Sequence, residues 1–207
     1  MNDRRLEQFR ALQALARTGL HFCKDEYDRE RYEAIERIAS ELLAAGAGAD
    51  PAELRSEWSR EGGYVTPKVE VRGAAFRAAD GKVLLVRETM DGLWTLPGGW
   101  ADVNDSPSGA IRKEIEQESG FRVRVVKLAA LYDRNAHGHT PSLHHSWKAF
   151  FLCEIEGGEA RGSYETDGVE FFSPDDLPPM SIGRSTPQQV TRMRQHFLRP
   201  EMPTDFD

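Results

Sequence analysis

The stretch LPGGWADVNDSPSGAIRKEIEQESGF, residues 96–121, contains a helix whose start, stop and faces can be read from residue type. Ser106-Pro107 is a helix start, with serine as the cap and proline in the first turn. Gly120 is a C-terminal stop. At about 100° per residue, Ile111 and Ile115 fall on one stripe, and Glu114 and Glu118 lie together beside it, one turn apart. Arg112 and Glu116 point away, and Gln117 sits on the far side of the Glu114 edge. Two like charges at the border of a buried face are costly unless a cation offsets them. Magnesium suits such a pair, because it prefers oxygen ligands and is usually shared between carboxylates and substrate phosphates. Gly98 and Gly99 let backbone approach closely, as a phosphate site requires. The competing interpretation is a solvated acidic helix face.

Outward from this stretch, the chain changes period. Residues 1–62 read as helical. Leu6, Phe9, Leu12 and Leu15/Ala16 recur at helical spacing, with Gly19 as a stop. Asp25 caps a second helix whose stripe is Tyr32, Ile35, Ile38/Ala39 and Leu42, ending in an AGAGAD turn. A third helix follows Asp50-Pro51. EGGYVTP, 61–67, reads as a linker. From residue 68 to 207 strands dominate. VEVRGAAF (69–76) and KVLLVRE (82–88) read as a hairpin around Asp80-Gly81. LWTLPGG, VRVVKLAALY, WKAFFLCEI and VEFF supply further strands, and helices are expected near 106–119 and 186–198. The expected class is α+β, with a small all-helical region packing or dimerising ahead of it.

Composition narrows the functional classes. A net charge of -7 weighs against a surface built for nucleic acid. The two cysteines stand far apart, which disfavours a disulfide framework or structural zinc site, and Cys153 alternates with Trp147, Ala149 and Phe151 as a buried strand residue. No apolar run is long enough to span a bilayer, and the charged N-terminus is no secretory signal, so a soluble cytoplasmic protein is expected.

From Gly99 onward the stretch resembles the Nudix box, Gly-x5-Glu-x7-Arg-Glu-apolar-x-Glu-Glu-x-Gly-apolar. Gly99, Glu114, Ile115, Glu118, Gly120 and Phe121 fall on the pattern, while Asp105, Lys113 and Gln117 replace a Glu, an Arg and a Glu. Asp105 shortens the reach by one methylene, Lys113 loses the planar fork, and Gln117 offers an oxygen without charge. KDEYDRERYE, GYVTPKVEVRG and DGLWTLPGGWADVNDSPS extend the resemblance to a Nudix subgroup with a helical N-terminal extension. That subgroup includes bacterial CDP-choline pyrophosphatases and is often labelled as ADP-ribose pyrophosphatase.

The resemblance implies a mixed sheet sandwiched between helices. It also implies hydrolysis of a nucleoside diphosphate linked to choline, a sugar or a similar group. Glu114, Glu118 and Gln117 are the expected ligands of Mg²⁺ (or Mn²⁺). Glu165 is the expected base, a loop carboxylate in SYETDGVEFF that could equally be a surface group. Asp105 and Lys113 support the ligands from behind. Gly98, Gly99, Tyr132 and His139 are the expected substrate contacts, with His137, His144 and His145 in the same loop; a transition-metal site built from these histidines is the alternative. Arg72 and Arg87 on the early strands could face the diphosphate, although exposed strand arginines are commoner. The rival functions are ADP-ribose or nucleotide-sugar hydrolysis, action on RNA ends, and a catalytically silent nucleotide sensor. The expected partners are a small nucleotide and a second copy of the chain.

Overall fold

The computed structural model describes residues 3–47, 50–59 and 63–207. The chain divides into two compact units: one holds the chain up to Pro67 together with Pro141–His145, the other Lys68–Thr140 and Ser146–Asp207. A division by sequence order alone puts Pro141–His145 in the second unit; in the structure this segment joins the helices, with Leu143 against their core. Gly48 and Ala49 of the expected turn, and Glu61 and Gly62 of the expected linker, lie outside the described residues. Among the described residues no helix is long and apolar enough to cross a membrane.

The first unit contains α1 (Asp3–Phe22), α2 (Glu26–Ala47) and α3 (Pro51–Ser59). Asp25 caps α2 by accepting from the Asp28 N–H at 2.9 Å, and Asp50 caps α3 through the Ala52 N–H at 2.8 Å. Gly19 does not stop α1, contrary to expectation. A Cβ there would lie 2.4 Å from the Tyr32 ring, so the glycine is where the second helix crowds the first. The expected stripes are corrected in the same sense. Leu6, Ala16, Ala39, Leu43 and Ala44 are buried, whereas Leu12, Leu15, Ile35, Ile38 and Leu42 remain exposed. Leu6, Leu43, Ala44, Leu54 and Trp58 form the core of the unit, and Leu12, Leu15, Ile35, Ile38 and Leu42 face outward.

The second unit is built on two sheets. In one, β1 (Lys68–Ala75) pairs in parallel with β5 (Ser146–Gly158), which pairs antiparallel with β4 (Phe121–Asp133); β7 (Asp205–Phe206) adds to β4. In the other, β2 (Val83–Glu88) lies between β3 (Trp94–Thr95) and β6 (Thr166–Phe172). The expected β1–β2 hairpin is therefore overturned. Only a single bridge, Phe76 to Val83, links these strands. The turn does form, with Arg77 ion-paired to Asp80 at 2.6 Å. However, β1 finds an eight-position register along β5 and β2 a partner in β6, and both bury apolar side chains that a two-stranded ribbon would leave wet. α4 (Pro107–Ser119) seals a core containing Val71, Leu84, Ile111, Ile115 and Phe151, and α5 (Pro187–Leu198) seals another containing Leu85, Leu96, Phe150, Val190 and Met193. Cys153 is buried among the strands, as expected, and burial pushes its thiol up to about 12.

Candidate active site

α4 begins where Ser106 Oγ accepts from the Gly109 N–H at 3.1 Å and ends where the Gly120 N–H donates to the Glu116 carbonyl at 3.0 Å. Between these caps Ile111 and Ile115 are fully buried. The same rotation leaves Arg112, Glu116 and Gln117 exposed, places Glu114 at the half-buried border, and takes Glu118 down to 5% exposure.

The loop before the helix runs against β1, with the Gly73 N–H on the Pro97 carbonyl and the Val71 N–H on the Gly99 carbonyl, each at 2.9 Å. Gly98 has φ +140, and a Cβ there would sit 2.1 Å from the Val71 carbonyl oxygen, so only glycine fits. Its N–H donates to Glu118 Oε2 at 2.8 Å. Gly99 lies over the other carboxylate, since a Cβ there would meet Glu114 Oε2 at 3.1 Å. Thr166 Oγ1 donates to the Glu118 carbonyl at 2.7 Å, tying the helix end to β6.

Four carboxylates act on one another here. Burial pushes Glu118 up to about 8; Arg72 and the Gly98 N–H oppose that rise, and Glu114 and Glu88 add to it. A rise from 4.5 to about 8 corresponds to roughly 5 kcal/mol held against the charged form. Glu114 is also raised by burial, with Arg72 opposing and Glu165 adding. Glu88, buried at the end of β2, is raised by burial and by Asp91 and Glu165, against Arg184 and Arg72. Glu165 itself is exposed. Its carbonyl accepts from the Thr89 N–H at 2.8 Å and the Thr89 hydroxyl at 3.0 Å, which anchors its backbone.

A divalent cation fits this donor set. Glu114 and Glu118 offer two oxygen donors one turn apart, in surroundings that penalise uncompensated negative charge. Among the described residues no three carboxylate, imidazole or thiol groups gather into a metal cage. An open pair suits magnesium, which keeps waters and shares its remaining positions with phosphate. Behind the pair Lys113 Nζ reaches Asp102 at 2.7 Å and Asp105 at 3.3 Å. These exposed contacts order the loop more than they stabilise it.

Other expected residues are placed differently. Arg72 is not an exposed strand arginine; it is buried, with its fork on Glu70. Arg87 pairs with Asp167 at 2.7 Å and lies over the Trp94 ring. Tyr132 is buried, donates its hydroxyl to Asp205 at 3.1 Å and stacks on His137 at 3.8 Å. His139 donates from Nδ1 to the Ile182 carbonyl at 2.6 Å and accepts at Nε2 from the Gln189 amide at 2.9 Å. Burial and the nearby Lys148 cation hold its pKa down to about 4, so it is neutral near pH 7. The polar atoms expected to meet substrate are thus held by protein groups at both Tyr132 and His139. Glu88 was missed, although one signal was visible: a carboxylate closing the strand run KVLLVRE, just after the apolar stretch 83–86.

Residues 67–192 match the NUDIX domain, and residues 3–57 match a UDP-X-like N-terminal oligomerisation domain. The chain belongs to the Nudix hydrolase family. The protein YjhB of Bacillus subtilis (strain 168) is 40% identical over 202 residues, covering 98% of this chain and 96% of that one. A solved UDP-X diphosphatase shares 32% identity and a TM-score of 0.63, over 99% of this chain and 98% of its own. An ADP-ribose pyrophosphatase from Streptococcus suis 89-1591 shares 38% identity and a TM-score of 0.63, over 69% of this chain and 100% of its own.

Proposed function

We propose that this Nudix hydrolase is a magnesium-dependent pyrophosphohydrolase. It splits a nucleoside diphosphate conjugate into a nucleoside monophosphate and a phosphorylated moiety. The observation carrying this proposal is the buried Glu118 carboxyl, pushed up to about 8 beside Glu114 under a glycine loop. Glu114 and Glu118 hold the cation, with Gln117 on the exposed side able to lend a neutral oxygen. When bound, the ion supplies positive charge that offsets both the carboxylates and the diphosphate.

Hydrolysis adds water across the P–O–P bridge. The water oxygen bonds to one phosphorus, the bridging oxygen leaves with the other phosphate, and one water proton must be taken up. Glu165 is the group assigned to that proton, because its backbone is anchored and its carboxylate is exposed beside the pair. The full-length likeness to a UDP-X diphosphatase supports nucleoside diphosphates bearing varied second groups. CDP-choline and ADP-ribose are members of that chemical class. The retained carboxylate pair weighs against a silent sensor, which has no use for two unneutralised like charges, one of them buried. The experiment is a Mg²⁺-supplemented panel of UDP-sugars, CDP-alcohols and ADP-ribose. Turnover of at least one is expected, and turnover of none removes the proposal.

A second copy of this chain is the partner assigned to the exposed Leu12, Leu15, Ile35, Ile38 and Leu42 face. These residues lie within the segment matching an oligomerisation domain, and a solvent-facing row of large apolar side chains favours burial.

A further inference from the structure

Behind the Glu114–Glu118 edge lies a buried ionic row that the proposed chemistry does not use directly. Glu70 on β1 and Lys148 on β5 stand opposite each other in the parallel register, and Lys148 Nζ meets Glu70 Oε2 at 2.7 Å. The same ammonium donates to the Arg184 carbonyl at 2.6 Å, and no part of the Lys148 side chain reaches solvent. Glu70 Oε1 accepts from Arg72 Nε at 2.8 Å and also from Arg72 Nη2. The remaining arm of that guanidinium, Nη1, donates to the Leu96 carbonyl at 3.0 Å, one peptide ahead of the Pro97-Gly98-Gly99 loop. Arg72 is also the foremost cation acting on both Glu118 and Glu114. Both of its cationic neighbours hold the Glu70 carboxyl below its ordinary range despite burial.

We propose that the Lys148–Glu70 pair is a positioning device for the cation-binding carboxylates: it fixes the Arg72 fork so that the guanidinium pins the Leu96 carbonyl and keeps its charge beside Glu114 and Glu118. This assignment rests on those two glutamates holding the cation. Complete burial of an ammonium, a carboxylate and a guanidinium is expensive, and is tolerated where each oxygen and proton has a set partner. Here Glu70 is satisfied on both oxygens, and Arg72 is held from two directions. A residue acting in this way is a positioning residue, since it touches neither the reacting atoms nor the cation.

The sign of one substitution separates positioning from a general field effect. Burial and Arg72 push the Lys148 amine down to about 7, so Lys148→Met removes at most one positive charge, and a field effect alone tightens a divalent cation or leaves it unchanged. Positioning predicts the reverse, because Glu70 Oε2 loses its partner and the fork loses its brace. The measurement is Mn²⁺ binding to the full chain, followed through the EPR signal of free Mn²⁺. The expected result is a several-fold weaker dissociation constant in Lys148→Met with an unchanged number of sites per folded chain. Loss of fold would instead lower the number of sites and leave the constant alone. Glu70→Asp keeps the charge but shortens the reach, and should also weaken Mn²⁺; it carries the test if Lys148→Met does not fold. Unchanged or tighter binding in Lys148→Met, or unchanged binding in Glu70→Asp, overturns the proposal. Glu118→Gln serves as the reference. If it too binds Mn²⁺ as the natural chain does, the cation site itself is wrong; if it alone loses Mn²⁺, only the positioning role falls.

Discussion

α2 and α4 have the same kind of sequence pattern and opposite outcomes. In each, isoleucines recur at helical spacing beside charged residues. On α4 Ile111 and Ile115 are fully buried, whereas on α2 Ile35 and Ile38 are exposed and Ala39 and Ser40 are buried instead. An apolar stripe states that a face favours burial and says nothing about what covers it. For α4 the cover is local, with Val71 and Leu84 of the strands in the same core. For α2, Tyr32 packs against Gly19 of α1 and Leu43 enters the unit's core, while Ile35, Ile38 and Leu42 are left for something outside the unit.

The sharpest contrast is in what a buried carboxylate is for. Glu118→Gln should lower kcat/KM by on the order of 10³-fold or more, as expected when a group organising transition-state charge is lost. The same change relieves a buried charge, so the metal-free melting temperature should hold or rise. A melting temperature that falls in step with activity would make Glu118 a structural residue. On the α2 side the corresponding substitution is Ile38→Glu. Placing a charge in an apolar subunit contact should weaken self-association roughly a hundredfold, about 3 kcal/mol. Light scattering after size exclusion reads the mass directly, and an unchanged mass across concentrations removes this face from the interface.

The two glycines give a finer comparison, because both mark close approaches. A Cβ at Gly98 meets a backbone carbonyl oxygen at 2.1 Å with φ at +140, and neither can relax cheaply. A Cβ at Gly19 meets the edge of the Tyr32 ring, which can swing aside, and alanine favours the helix there. Gly98→Ala should therefore cost about 3 kcal/mol in urea unfolding and Gly19→Ala no more than about 1 kcal/mol. Equal losses would mean that α1 and α2 are locked together as firmly as the glycine loop and β1.

Much of this was legible from residue type. The caps of α4, the buried isoleucine stripe, the Glu114–Glu118 edge and the two-glycine loop all follow from short-range spacing, and each is in place. What escaped depends on partners far along the chain. The Asp80-Gly81 turn reverses the chain, yet β1 chose β5, which starts at Ser146. Arg72 reads as a surface group because Lys148, which completes the ionic row with Glu70, is brought beside that strand only by the parallel β1–β5 pairing. Asp205, Ile182 and Gln189, which hold Tyr132 and His139, come from the end of the chain, and no local spacing points to them. The histidine loop was read as one feature, whereas Pro141–His145 folds with the helices and His137 and His139 with the sheets.

The smallest expected effect sets the two units against each other in their response to acid. Asp205 is held well below the ordinary carboxylate range by hydrogen bonds from Arg192, with His196 and Tyr132 adding to the effect. Its folded pKa is depressed, so its contribution is present above about pH 4, the unfolded value, and is lost as pH falls from there. Glu36 on α2 is shifted the other way, because burial raises it and the ion pair with Arg17 at 3.7 Å only partly opposes this. A raised carboxylate favours the fold most fully below its unfolded pKa, and that advantage fades as pH rises through the folded one. Melting temperatures between pH 3 and pH 6 should separate the two. Asp205→Asn should flatten the loss of stability on the acid side, Glu36→Gln should steepen the gain in stability with rising pH, and each should amount to about 1 kcal/mol. If both variants bend the curve in the same direction, carboxylate burial in the helical unit is not costly, and the contrast between α2 and the strand-built unit reduces to what covers their apolar faces.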